Sequence, residues 1–69
     1  MNKNKLRAVL ADNGDNYEKL AGYLGISVST LSDKINERNS IGFTQPEMKQ
    51  IKDRYRLTPE QIDNIFFDR

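Results

Sequence analysis

Apolar residues recur at helical spacing in five separate segments of the chain. Positions three or four residues apart share one face of an α-helix, so these segments predict amphipathic helices. No segment alternates apolar and polar residues as a half-buried strand would, and there is no internal repeat. With 69 residues and no long linker, the sequence predicts one compact all-α domain over 1–69. The predicted helices span about 2–12, 17–24, 28–36, 45–55 and 59–67.

Residues that favour helix ends lie at the borders of these segments. Gly14 predicts the end of the first helix, because glycine readily adopts the left-handed conformation found there. Asp15 or Asn16 can cap the second helix, and Ser27 the third, by accepting hydrogen bonds from free backbone amides. A capping threonine, an early proline and a Glu or Gln three residues after the threonine open the last two helices, at 44–47 and 58–61.

The apolar faces predict the interior of the domain. Ile41 and Phe43, in the turn ERNSIGF, are expected to fill the core from outside the helices. Phe66 and Phe67 are adjacent, so one is expected to cap the core while the other is exposed or lies in a dimer seam. Leu57 belongs to the same candidate seam, although all three could equally complete a monomeric core. The predicted core residues on helices are Leu6, Val9, Leu10, Leu20, Ala21, Leu24, Leu31, Ile35, Ile51, Tyr55, Ile62 and Ile65.

The stretch NYEKLAGYLGISVSTLSDKIN, residues 16–36, contains two short amphipathic segments separated by Gly25. Two helices joined by such a short turn form a helix-turn-helix, in which the small Ala21 permits a close crossing. Leu31 and Ile35 would hold the second helix against the first and leave its opposite face free. Small polar side chains on that face suit contact with base edges in a DNA major groove. The predicted base contacts are Val28, Ser29, Ser32, Asp33 and Asn36.

LAGYLGISVSTLSDKIN resembles the helix-turn-helix of the Cro/repressor-type phage and bacterial transcription regulators. The ending LTPEQIDNIFF is similar to small phage Cro-like regulators from Gram-positive hosts, so the resemblance covers nearly the whole chain. It implies a five-helix lambda-repressor-like DNA-binding domain, with base contacts from Val28, Ser29, Ser32 and Asp33. The implied contacts to the DNA backbone are Asn16, Tyr17, Arg38, Asn39, Thr44 and Gln45, and Lys34 is a further predicted backbone contact.

Charge and composition narrow the functional classes. The net charge is only +1, so an argument for DNA depends on where the charges lie. Lys3, Lys5 and Arg7 could form a solvated face or contact phosphates, and Asp33 could read a base or be solvated or paired with a nearby lysine. The sequence contains no Cys and no His, so the usual metal ligands and the commonest general base are missing. We therefore expect that the protein is not an enzyme and uses no cofactor. No apolar run suggests a membrane span or signal peptide, so a cytoplasmic location is expected.

Two functions remain open from the sequence. The first is a sequence-specific regulator that binds a double-stranded DNA operator as a weak homodimer. The second is a modulator or antirepressor that binds a partner repressor protein and alters its grip on DNA. The low net charge, Asp33 on the reading face and Tyr17 at a position where family members often carry Gln favour the second.

Overall fold

Five helices form the part of the chain that the computed structural model describes, residues 1–38 and 42–67, and no strand occurs there. The all-α prediction is confirmed, and every helix begins and ends within one residue of its predicted bounds. The Cα radius of gyration is 10.9 Å, close to the value of about 11 Å expected for a compact domain of this length. The helices are α1 (Lys3–Asp12), α2 (Tyr17–Leu24), α3 (Val28–Ile35), α4 (Gln45–Tyr55) and α5 (Pro59–Phe66).

Side-chain caps fix where the helices begin. Asn16 caps α2 by accepting from the Lys19 amide, and Ser27 caps α3 in the same way. Thr44 and Thr58 each form a complete capping box, as predicted. Of the two residues considered for the cap of α2, Asn16 takes the role, because the carboxylate of Asp15 is bound elsewhere.

Four turns of the described chain contain a residue with positive φ, one of them Glu37 (φ +54°) after α3. Gly14 (φ +64°) follows α1 and Gly25 (φ +74°) follows α2, both in the left-handed conformation that their sequence positions predicted. Arg56 also adopts this conformation (φ +53°), at the end of α4, where the amide of Leu57 donates to the carbonyl of Lys52 at 3.0 Å. A residue with a Cβ pays about 1 kcal/mol or more in this region, so Arg56 is held there by the surrounding structure.

The core consists of one apolar cluster to which every helix contributes. Leu57 is 6% exposed and belongs to this core, so the free protein does not present it as a partner surface. Phe66 is half-buried and meets Phe43 edge to face, with ring centroids 5.4 Å apart. Of the three residues in the candidate seam, Phe67 is the exposed one, at 49%. The buried residues are Leu6, Leu10, Leu20, Ala21, Leu31, Ile35, Ile51, Tyr55, Leu57 and Ile65. Ile41 lies outside the described residues.

Contacts at the start of α1 bring it close to two other helices. The backbone amide of Asn2 donates to the carbonyl of Ile65 at 2.7 Å, which ties α1 to α5. The terminal amine of Met1 pairs with Glu37, just after α3, at 2.8 Å. The first turn of α1 therefore lies between α5 and the end of α3. In the described part of the chain, no helix is both long enough and apolar enough to cross a membrane.

Candidate nucleic-acid interface

The backbone amides of the turn between α2 and α3 form hydrogen bonds with carbonyl groups of α2. Gly25 donates to the carbonyl of Gly22 at 3.2 Å, and Ile26 donates to that of Ala21 at 3.0 Å. This pair of bonds is the Schellman motif, which needs the positive φ that Gly25 supplies. The side chain of Ser27 then accepts from the amide of Thr30 at 3.1 Å and starts the next helix. The orientation of α3 is thus set locally, within three residues.

Helix α3 is amphipathic, and its outer face divides into two parts. Leu31 and Ile35 are fully buried against the core, which directs the opposite side outward. At the amino end of the helix, Ser29 is exposed on that outward side, and Val28, one turn before Leu31, is 44% exposed. A valine this exposed at the first residue of a helix gains little from burial within the monomer. The amino end of α3 is therefore the part of the helix most open to a ligand.

The carboxyl half of the same face is half-buried and makes hydrogen bonds within the protein. The amide of Asn36 donates to the carbonyl of Ser32 at 2.9 Å and lies 3.4 Å from its hydroxyl oxygen. Asp33 is 3.5 Å from Arg38, which is 64% exposed. The structure places Ser29, Ser32, Asp33 and Asn36 on the outward side of α3, and Val28, one turn before the buried Leu31, at its amino end. It leaves two of them open and engages three with neighbours.

The predicted backbone contacts also differ in how available they are. Lys34 is 12% exposed; its ammonium group donates to Glu47 at 2.9 Å and to the carbonyl of Gly42 at 3.3 Å. Burial raises the pKa of Glu47, but hydrogen bonds from Thr44 and Lys34 outweigh it, so the pKa lies below its ordinary value. In the free protein Lys34 is committed to α4, and a phosphate would have to break this pair to reach it.

The remaining candidates for backbone contact lie at helix starts or in turns. Arg38, Thr44 and Gln45 are exposed, with Thr44 also serving as the cap of α4. Asn16 is exposed and caps α2, while the half-buried Tyr17 accepts a hydrogen bond from Arg7. Asn39 lies outside the described residues.

Helix α1 places two cations, Lys3 and Arg7, beside this surface. The sequence had left open whether they contact phosphates or are only solvated. Lys3 donates to the side-chain oxygen of Asn36 at 3.3 Å, and the Nε–H of Arg7 donates to the Tyr17 hydroxyl at 3.0 Å. Lys5 takes a different side and lines a groove between α1 and α5. The spacing of Lys3 and Arg7, one helical turn apart, is the signal that separates them from Lys5.

A second polar cluster links the turn after α1 to the end of α4. Arg54 donates twice to Asp15, from Nε at 2.9 Å and from a terminal nitrogen at 3.3 Å, and the Tyr55 hydroxyl donates to it at 2.6 Å. The guanidinium also lies 4.7 Å from the centre of the Tyr23 ring. A surface cavity of about 350 Å³ lies here, lined in part by Lys19.

The hydrogen bonds of this cluster shift the pKa values of Asp15 and Tyr55. The bonds from Arg54 and then Tyr55 hold the pKa of Asp15 below its usual value, against the effect of burial. Burial, reinforced by the bond to Asp15, raises the pKa of Tyr55 to about 12. No buried side-chain nitrogen or oxygen in the described residues lacks a hydrogen-bond partner, so this cluster links α4 to the turn after α1 as a structural contact. No group of His, Cys, Asp or Glu in residues 1–38 and 42–67 could hold a metal ion.

No family model matches the chain, and neither the curated proteins nor the solved structures give a match. A function for this protein must therefore be argued from its own residues and geometry.

Proposed function

We propose that the protein is a sequence-specific DNA-binding transcription regulator of the Cro/repressor type, with a lambda-repressor-like domain. In this proposal α2 and α3 form a helix-turn-helix, and α3 enters the major groove of an operator. The observation that carries the proposal is the exposed amino end of α3, held outward by the buried Leu31 and Ile35 and by the closed turn at Gly25. Recognition helices contact base edges mainly through their amino-terminal residues.

The residue types on this face suit direct readout at short range. Ser29 and Ser32 can donate or accept hydrogen bonds at base edges, and Val28 can pack on a thymine methyl group. Their small size lets the helix backbone approach the floor of the groove. Asp33 can accept from a cytosine amine once Arg38 moves toward a phosphate, and Asn36 completes the face.

Contacts to the DNA backbone would flank this helix. Arg38, 64% exposed, lies just after α3, and the exposed start of α4 offers Thr44 and Gln45. On the other side, Asn16 and Tyr17 lie at the start of α2. Hydrogen bonds from such groups fix the orientation of a protein on a duplex without reading its sequence.

A single copy of α3 can read only a few base pairs. The helix has 8 residues and is about 12 Å long, so specificity requires two copies placed about 34–36 Å apart on a two-fold site. Phe67, exposed at the end of α5, is the residue proposed to contact a second copy in a weak homodimer.

The experiment is selection of preferred duplexes from a randomised library, followed by anisotropy titrations against the selected duplex and a shuffled one. The wild type should prefer the selected duplex, and its affinity should fall with salt at a slope of about −0.9 per phosphate contacted. Ser29→Ala and Ser32→Ala should reduce the preference while the melting temperature is unchanged. Gln50→Ala, on the exposed side of α4, is the matched control. Equal affinity for both duplexes, or no binding at all, would refute the proposal.

The second candidate is a modulator that binds a partner repressor. It is favoured by the charge balance around α3, where Asp33 offsets Arg38 and Glu47 offsets Lys34. A face with little net charge suits a protein partner better than phosphates. A mobility shift that appears only when this protein and the repressor are mixed with operator DNA would select the modulator.

A further inference from the structure

We propose that Lys3 and Arg7 of α1 form a phosphate-binding strip that extends the DNA interface beyond α3, and that Lys5 takes no part in it. This inference rests on the proposed DNA-binding function, and it separates Lys3 and Arg7 from Lys5, three cations whose contact with phosphates the sequence left open. Its ligand is the phosphate backbone of a DNA duplex.

The strip is continuous with the proposed reading face. Lys3 donates to Asn36 at 3.3 Å, and Asn36 in turn donates to the backbone carbonyl of Ser32 at 2.9 Å. Arg7, one helical turn after Lys3, donates to the hydroxyl of Tyr17 at the first residue of α2. The two cations therefore lie beside the end of α3 and the start of α2, on the same edge of α1.

Each end of the strip has hydrogen-bond donors to spare. Arg7 uses its Nε–H on Tyr17, and both terminal amino groups of its guanidinium have no partner among the described residues. The Tyr17 oxygen accepts that bond, so its own proton is free to be donated outward. The Tyr17 ring packs against the core and fixes the position of the hydroxyl. A guanidinium and a hydroxyl held together in this way can share one phosphate.

The acids around the strip leave its positive charge largely uncompensated. Asp33 is paired with Arg38, and Glu37 with the terminal amine of Met1. Neither Lys3 nor Arg7 forms an ion pair within residues 1–38 and 42–67. In a chain with a net charge of +1, this edge therefore carries two cations without a carboxylate partner among the described residues, where the proposed duplex would lie.

Lys5 provides an internal control. It carries the same charge on the same turn of α1, yet it lines the groove of about 200 Å³ between α1 and α5, together with Val9, Gln61 and Ile65. Lys3→Glu and Lys5→Glu change the net charge equally. Both place an acid in the first turn of a helix, where it is tolerated or favourable. Any difference in DNA affinity between them reports position and not total charge.

The test is an anisotropy titration of wild type, Lys3→Glu, Arg7→Glu and Lys5→Glu against a fluorescein-labelled mixed-sequence duplex, from about 50 to 200 mM NaCl. Because phosphate contacts are independent of sequence, this test does not require the operator. We expect Lys3→Glu and Arg7→Glu each to weaken binding about tenfold or more at the lower salt, and to reduce the salt slope by about 0.9. At about 200 mM NaCl, where the Debye length is about 7 Å, Lys5→Glu should stay within about twofold of wild type, because Lys5 lines the groove on the α5 side of α1.

Two results would overturn the inference, and they can be told apart. Equal loss of affinity in Lys3→Glu and Lys5→Glu, or no loss in Lys3→Glu and Arg7→Glu, would remove the strip while leaving the proposed function of α3 intact. No binding of the wild type to any duplex would remove both. Circular-dichroism melts of all four proteins guard against misfolding, and Lys3→Glu keeps the test decisive if Arg7→Glu is unstable.

Discussion

Two regions of the molecular surface differ in whether their side chains find partners within the protein. In the first region, two nitrogens of Arg54 and the hydroxyl of Tyr55 donate to the carboxylate of Asp15, which is 7% exposed. In the second region, at the amino end of α3, Val28 and Ser29 are exposed and are accessible to a ligand. A closed polar network contributes to stability, whereas an open one contributes little to it and is available for binding.

The largest expected effect is the loss of the closed network. Asp15→Ala removes the acceptor of three hydrogen bonds and leaves Arg54 and Tyr55 without it. We expect the free energy of unfolding to fall by about 2–3 kcal/mol, because a partly buried charge loses its partner. Urea denaturation measures this change, with Ser29→Ala as the control that should stay within about 0.5 kcal/mol of wild type. Similar decreases in the free energy of unfolding of the two variants would show that the two regions contribute equally to stability.

The same network should make stability depend on pH at both extremes. The pKa of Asp15 is lowered on folding, so its contribution is present above its unfolded pKa and is lost as the pH falls through the folded value. The pKa of Tyr55 is raised to about 12, so its contribution is present below its unfolded value, near 10, and is lost as the pH rises from there toward 12.

Melting temperatures measured across the pH range check both directions. Asp15→Asn should flatten the acid side of the profile, although Glu47, whose pKa is also lowered, keeps part of the slope. Tyr55→Phe should flatten the alkaline side. If the melting temperature of both variants depends on pH in the same way as that of the wild type, the network does not set the pH dependence.

A smaller effect is expected for DNA discrimination by the open region. Ser29→Ala and Ser32→Ala should each reduce the preference for a selected duplex over a shuffled one by about 1 kcal/mol, because each removes one base contact. Competition titrations measure the ratio of the two affinities. Asp15→Asn, in the closed network, should leave that ratio unchanged at a temperature where it is folded. A change in the ratio for Asp15→Asn would mean that the two regions are coupled.

The smallest effect concerns the strained residue beside the closed network. Arg56→Gly relieves the positive φ at the end of α4 and should raise the free energy of unfolding by about 0.5–1 kcal/mol, after the entropic cost of glycine in the unfolded chain. Thermal melts check this gain. A loss of stability instead would mean that the Arg56 side chain contributes more than its backbone strain costs.

Local features of the fold were predictable from the sequence, and the long-range ones were not. The caps at Ser27, Thr44 and Thr58 and the turn at Gly25 depend on residues within five positions, so a sequence pattern is enough to identify them. The role of Asp15 was different. Two capping candidates lay side by side, and the choice was decided by Arg54, 39 residues away.

The candidate site shows the same limit. Helical spacing placed Val28, Ser29 and Ser32 on one face, but it could not show that Lys34 would be buried against Glu47. Nor could it separate Lys3 from Lys5, since this depends on how α1 packs against α3 and α5. Arg56 carries no sequence signal for a left-handed residue, because glycine is the type that patterns look for there.

The most direct test of the central claim is a map of backbone amide shifts when a selected duplex is added to the isotope-labelled protein. We predict that the largest changes fall at Val28, Ser29 and Ser32, with smaller ones at Lys3 and Arg7, while the amides of Arg54 and Tyr55 stay unchanged. Changes centred on Arg54 and Tyr55, or an unperturbed α3, would contradict the account.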